Sequence, residues 1–223
     1  SPGLRLRAVN RIPHGRGLGS SGAAIVAGVL GAAGLVADQR PVTNDELLDL
    51  ATELEGHPDN VAPCLFGGLT IAWVSADGHP HSKQLSVHPG VSVVVLVPDE
   101  TMSTELARSL QPEQVPHQDA IFNLSRSALL VAALIQSPEL LLEATEDRLH
   151  QDYRAEAMPK TKALIDELRA AGLPAVVSGA GPSVLVLCEN PADRLRAAEI
   201  AAACGDTTWE ALLTAVDVQG ATV

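Results

Sequence analysis

At 223 residues, 46% hydrophobic and 19% charged, the chain can bury a sizeable core as one large domain or two small ones, which excludes wholesale disorder. Aromatics make up only 2%, so that core is aliphatic, and a net charge of −12 excludes a broad nucleic-acid surface, which needs clustered Lys and Arg and, for single strands, stacking rings. Three scattered cysteines, Cys64, Cys188 and Cys204, fit a reducing, cytoplasmic setting better than a disulfide framework or a zinc site.

In chain order, a strand-like run, Leu4–Val9, feeds three closely spaced glycines, Gly15, Gly17 and Gly19, then two hydroxyls, Ser20 and Ser21, and then a helix rich in Ala and Val. This is how a phosphate cradle is built. Glycines let the backbone turn with positive φ and approach a ligand closely, and the free N–H groups of a first helical turn favour an anion. Either serine can cap the helix or reach a phosphate-bound Mg²⁺. Arg5, Arg7, Arg11 and Arg16 precede the helix and no Asp or Glu occurs before Asp38, so this is the positive neighbourhood of an acidic chain. The alternative is an ordinary strand-to-helix turn closed by a Ser cap. The loop lacks the Lys of a P-loop, and its bare Gly17-x-Gly19-x-x-Gly22 pattern is a weak dinucleotide signal. The uncharged stretch Gly17–Ala37 is long enough to cross a bilayer, but it is mostly Gly and Ala. It is expected as a helix buried in a protein core, without a membrane partner, with small residues at Ala24, Gly28 and Ala32 for close approach.

A second helix is expected from a Thr43 or Asn44 cap to about Glu55, with Leu47, Leu48, Ala51 and Leu54 on one face. Glu55–Asn60 is a polar knot that Pro58 keeps from being helical throughout. A strand over Gly67–Val74, a turn at Asp77-Gly78 and a doubly buried strand over Val91–Val97 follow. We place a division near His88–Gly90, giving units 1–89 and 90–223. Beyond it, helices are expected over Ser103–Leu110, Asp119–Ile135, Pro138–Leu149, Lys160–Ala171 and Ala192–Ala203. Strands are expected over Pro174–Ser178, Ser183–Cys188 and Ala211–Val218. The rhythm indicates α+β layers rather than a doubly wound sheet.

Glu53, Glu55, His57, Asp59 and Asn60 concentrate oxygen and nitrogen ligands in one short stretch, as Mg²⁺ chemistry needs, although a solvated loop with a capping Asp has the same composition. Thr104 and Arg108 lie one turn apart on a helix, and a guanidinium there could bind a carboxylate with two parallel hydrogen bonds, or simply face solvent. Ser178–Ser183, Ser-Gly-Ala-Gly-Pro-Ser, is a glycine-rich loop between strands that could be a plain turn.

Taken together, these segments resemble a known family. Pro13-x-x-x-Gly17-Leu-Gly-Ser-Ser21 is similar to the phosphate-binding motif of the galactokinase, homoserine, mevalonate and phosphomevalonate (GHMP) kinases, with Gly22 where Ala is usual. Glu53–Gly68, Ser103-Thr-x-x-Ala-Arg108, Asp147–Arg154 and Ser178–Ser183 narrow the resemblance to homoserine kinases. It implies a two-layer α+β fold, with an incomplete N-terminal domain of ribosomal S5-like type and a C-terminal ferredoxin-like α/β plait. The incompleteness is expected because the family's Asn-containing first motif lies upstream of the phosphate loop. The implied activity is ATP-dependent phosphorylation of L-homoserine, with ATP and Mg²⁺ as cofactors. Another GHMP kinase of mevalonate or shikimate type, or a non-catalytic nucleotide-binding module, stands as the alternative.

By the same resemblance Pro13, Gly15, Arg16, Gly17, Leu18, Gly19, Ser20 and Ser21 would hold the ATP phosphates. Ser21 with Glu55, or else Glu53, would hold the metal. His57, Asp59, Asn60, Thr104, Arg108, Arg154, Gly179 and Gly181 would line the acceptor pocket, with Asp59 orienting or deprotonating the hydroxyl. Asn123-Leu-Ser-Arg126 also matches in sequence and is assigned to packing. A homodimer is compatible with the resemblance.

Overall fold

The computed structural model describes residues 3–102, 104–205 and 207–222; the side chains of Thr104, Glu105 and Arg108 lie outside that description. The expected strand over Leu4–Val9 does not form. Leu4 and Leu6 are 77% and 92% exposed, and no described strand lies beside them to complete a ladder, without which extended backbone is not a strand.

Three helices build the first layer: α1 (Ser20–Val36), α2 (Asn44–Glu55) and α3 (Pro58–Phe66). Thr43 and Glu46 close a reciprocal capping box at the start of α2, and Gly56, at φ 90°, ends it. The apolar spacing of α2 puts Leu47, Leu48 and Ala51 against Val26 and Val29 of α1 and Val61, Ala62 and Leu65 of α3. Leu54, expected on that face, is 59% exposed. Ala24, Gly28 and Ala32, expected to admit a neighbour, face solvent instead; the close approach is at Gly22, where an added Cβ would lie 3.3 Å from Asn60 Cβ.

The helix α3 was not expected, because two prolines in nine residues argue against it. Pro58 sits at the first helical position, where its missing N–H costs nothing, so the polar knot breaks only at Gly56 and His57. An antiparallel hairpin follows, β1 (Leu69–Val74) and β2 (Pro80–Leu85), paired from Leu69 with Leu85 to Val74 with Pro80. The largely polar β2 gave no strand signal of its own.

The second layer is a four-stranded antiparallel sheet in the order β4-β5-β3-β6, formed by β3 (Ser92–Pro98), β4 (Ala175–Val177), β5 (Val184–Cys188) and β6 (Trp209–Thr214). Helices α8 (Pro159–Ala170) and α9 (Pro191–Ala203) cover one face. The succession β3-α8-β4-β5-α9-β6 in this strand order is the ferredoxin-like plait. Its core is the aliphatic one that composition demanded, with Val94, Leu96, Leu164, Leu168, Val184 and Val186 all fully buried. Inserted between β3 and α8 are α4 (Thr104–Ser109), α5 (His117–Ile135), α6 (Leu141–Ala144) and α7 (Gln151–Arg154). The helix expected to reach Leu149 stops at Ala144, and residues 145–150 run on as a polar strap. By length and hydropathy α5 could cross a bilayer. Its Asp119, Asn123 and Arg126 are instead bonded to that strap.

The last strand ends at Thr214 rather than Val218, because the tail turns back to the first layer. Gly68 N–H donates to Asp217 O at 2.6 Å and Ala221 N–H to Cys64 O at 2.9 Å. Gly67 and Gly220 interlock there: a Cβ on Gly67 would lie 2.5 Å from Gly220 N, and one on Gly220 2.4 Å from Leu65 O. The three cysteines are all free, and burial pushes the Cys188 thiol up to about 11.

Candidate active site

All three loop glycines have positive φ, 64° at Gly15, 72° at Gly17 and 70° at Gly19. Gly19 itself caps α1, without any side-chain cap bond, so neither Ser20 nor Ser21 plays the capping role open to them. Their hydroxyls stay available, and the first-turn N–H groups of α1 face a cavity of about 240 Å³ lined by Gly15 and Gly17–Ser21. Across it stand Glu55, His57, Asn60 and Gly179.

Gly17 is required by packing. An added Cβ would lie 2.1 Å from Ser178 O and 2.8 Å from Gly181 N, and the Ser178 hydroxyl donates to Gly17 O at 2.9 Å. The two glycine-rich loops, 161 residues apart in sequence, thus form one wall.

Arg16 points elsewhere. Its guanidinium donates to the carbonyls of Asp99 and Glu100, at 3.0 and 3.4 Å, and anchors the loop to the end of β3. Neither Arg16 nor Pro13 lines the cavity, and Arg5, Arg7 and Arg11 are exposed along the preceding extended segment.

The C-terminal end of α2 brings Glu55 to this cavity, where Ser21 Oγ donates to Glu55 Oε2 at 2.9 Å. Glu53 is exposed and off the cavity. One turn on, His57 Nδ1 is paired with Asp59 Oδ1. Two oxygen donors face each other in a site that also offers backbone N–H groups, which suits a hard cation bridging to phosphate. Among the described residues no group of three or more His, Cys, Asp and Glu forms a metal cluster, so any cation here shares its shell with a ligand or water.

A second, larger cavity of about 620 Å³ adjoins the first. Asp59 and Asn60 stand at one end, Arg154 at another, and Leu130, Leu134, Leu185 and Leu187 give it an aliphatic side. Asn60, Gly179 and Ala180 belong to both cavities. Arg154 is held in place by its own donors: Nε donates to Ala107 O at 3.2 Å and Nη1 to Gly179 O at 3.3 Å.

Gly181 lines neither cavity; a Cβ there would meet Met158 Sδ at 2.8 Å, so its role is packing. Thr104 is the first residue of α4 and Arg108 lies on its last turn, but their side chains fall outside the described residues. Asn123 and Arg126, assigned to packing in the sequence, both line the larger cavity. The signal was their spacing, three apart on one face of an otherwise apolar helix.

Two family models match the chain, GHMP kinases N terminal domain over residues 2–68 and GHMP kinases C terminal over residues 125–207. The homoserine kinase of Clavibacter michiganensis subsp. michiganensis is 68% identical over 222 residues, covering 100% of this chain and 70% of that protein. The homoserine kinase of Leifsonia xyli subsp. xyli is 64% identical, covering 100% of this chain and 68% of that protein. The crystal structure of homoserine kinase from Cytophaga hutchinsonii superposes with a TM-score of 0.80 at 27% identity, over 95% of this chain and 69% of that one. With these identities, both terminal-domain matches and the two glycine loops forming one wall, the chain belongs to the homoserine kinase family of the GHMP kinases.

Proposed function

We propose that the protein transfers the γ-phosphoryl group of ATP to the side-chain hydroxyl of L-homoserine, giving O-phospho-L-homoserine. The observation that carries this reading is the shared wall. A phosphate-sized cavity at a helix N-terminus opens beside an acceptor-sized one, and Asn60 and the Gly179-Ala180 backbone belong to both. Phosphoryl transfer asks mainly for alignment and for charge to offset the moving group, which this arrangement supplies without covalent chemistry by the protein.

In this reading the backbone of Gly15 and Gly17–Ser21 binds the phosphates. Ser21 Oγ and the Glu55 carboxylate fit Mg²⁺, a hard cation that would neutralise phosphate charge there. Arg154, with Arg108, binds the amino acid's carboxylate. Two of the five N–H donors of Arg154 are spent on Ala107 and Gly179, which fixes the plane of the fork and leaves the rest for ligand. Asp59, paired with His57, orients the acceptor hydroxyl together with Asn60. A primary alcohol can lose its proton late, to a phosphate oxygen, so Asp59 need not remove it.

Arg154→Ala is expected to raise the homoserine KM on the order of 100-fold, a cost of about 2.7 kcal/mol for leaving a carboxylate without its partner. The KM for ATP should stay within about threefold, since no phosphate contact is lost. Steady-state kinetics with each substrate varied separates the two, and an unchanged homoserine KM would remove Arg154 from the pocket.

A further inference from the structure

The strap over residues 145–148 is held almost wholly by polar contacts. Arg169 Nη1 donates to Thr145 Oγ1 at 2.9 Å, Arg126 pairs with Glu146 at 2.6 Å, and Asn123 Nδ2 donates to Asp147 Oδ1 at 2.7 Å. The Arg148 guanidinium lies 3.8 Å from the Phe122 ring centroid, and its N–H donates to Asn123 Oδ1 at 2.9 Å. Each residue of the strap is therefore tied by a side chain of α5 or α8. Cavities lie on both of its faces, the acceptor cavity and another of about 370 Å³ toward Met158 and Ile165, so close packing does not fix its position.

What the strap delivers is α7. A four-residue helix cannot nucleate on its own, and α7 has no buried residue to hold it. It is set instead by one carboxylate. Asp147 Oδ1 accepts from Leu149 N–H at 3.1 Å, and Oδ2 from His150 N–H at 2.9 Å and Gln151 N–H at 2.7 Å, besides the bond from Asn123. Burial alone would raise the Asp147 pKa, but the Gln151, Asn123, Leu149 and His150 donors outweigh it and hold the carboxyl below its ordinary value. From α7, Gln151 Oε1 accepts from Val177 N–H at 2.8 Å and Arg154 reaches Ala107 O and Gly179 O.

We propose that Asp147, locked by Asn123, is a positioning residue for the acceptor: it fixes α7, and α7 places Arg154 and the Gly179 loop at the wall common to both cavities. The inference rests on the reading of Arg154 as an acceptor-binding residue.

The test compares Asp147→Ala, Asn123→Ala and Arg154→Ala in the full protein by kinetics in homoserine and in ATP, with amide hydrogen exchange followed at 149–151 and 177. Asp147→Ala is expected to raise the homoserine KM about 30-fold while the ATP KM stays within about twofold, and to speed exchange at those four amides. Asp147→Asn keeps one accepting oxygen and should fall between Asp147→Ala and the unchanged protein. Asn123→Ala removes only the lock and should raise the homoserine KM about fivefold; it carries the test if Asp147→Ala does not fold. A folded Asp147→Ala protein with unchanged homoserine KM, or with only kcat reduced, overturns the proposal. If Arg154→Ala leaves the homoserine KM unchanged, the role of Arg154 is what fails. The exchange rates then decide by themselves whether Asp147 holds α7: unaltered protection in Asp147→Ala overturns that too.

Discussion

Replacing Gly17 with alanine is expected to weaken Mg-ATP binding by on the order of 100-fold and to destabilise the fold by about 3 kcal/mol. Two costs add at this position. At φ 72° an L side chain is strained, and its Cβ would lie 2.1 Å from Ser178 O, a backbone atom that cannot swing aside. Relief requires the two glycine loops to part, which opens the wall on which the phosphates would rest. Gly19→Ala is the comparison: its φ is nearly the same, 70°, but its Cβ would meet only Asn60 Oδ1, at 4.0 Å. That variant should lose about 1 kcal/mol, the conformational part alone. Thermal melting and nucleotide titration on both proteins check the pair, and equal losses would show that loop contact is irrelevant.

Glu55→Gln is the second large effect. The amide keeps the shape and can still accept from Ser21 Oγ, as Oε2 does now at 2.9 Å, but it removes the negative oxygen offered to the cation. We expect kcat to fall on the order of 100-fold and the Mg²⁺ concentration for half-maximal activity to rise about tenfold, since charge neutralisation on the transferring group is worth several kcal/mol. Glu53→Gln, exposed and off the cavity, should change neither. Activity measured across a magnesium titration distinguishes the two glutamates, and the reverse ranking would move the metal to Glu53.

Much of this site was legible in the chain because its signals are local. Glycine at three alternate positions ahead of an uncharged helix has few uses, and positive φ at all three follows from the residue type. The capping box of α2 and its Gly56 stop were equally readable, and they place Glu55 at the end of that helix. Other features depend on contacts that no local pattern records. Gly17 serves packing against Ser178 as well as phosphate approach, and Arg16 is consumed by carbonyls near the end of β3; neither follows from a window of ten residues.

The missed helix α3 shows a rule applied too broadly, since proline at the first helical position is favourable. The strand expected at Leu4–Val9 shows the converse, because alternation specifies a face but not a partner. The polar strap over 145–148 carries no hydrophobic period at all. Its form is set by Arg126, Asn123, Arg148 and Arg169 meeting from helices distant in sequence.

The most direct measurement is the product of a single incubation: the protein with Mg-ATP and an equimolar panel of L-homoserine, mevalonate and shikimate, analysed by mass spectrometry and ADP release. We predict O-phospho-L-homoserine as the phosphorylated product, formed in equal amount with ADP. ADP without any phosphorylated acceptor, or phosphate carried chiefly by mevalonate or shikimate, would contradict the account.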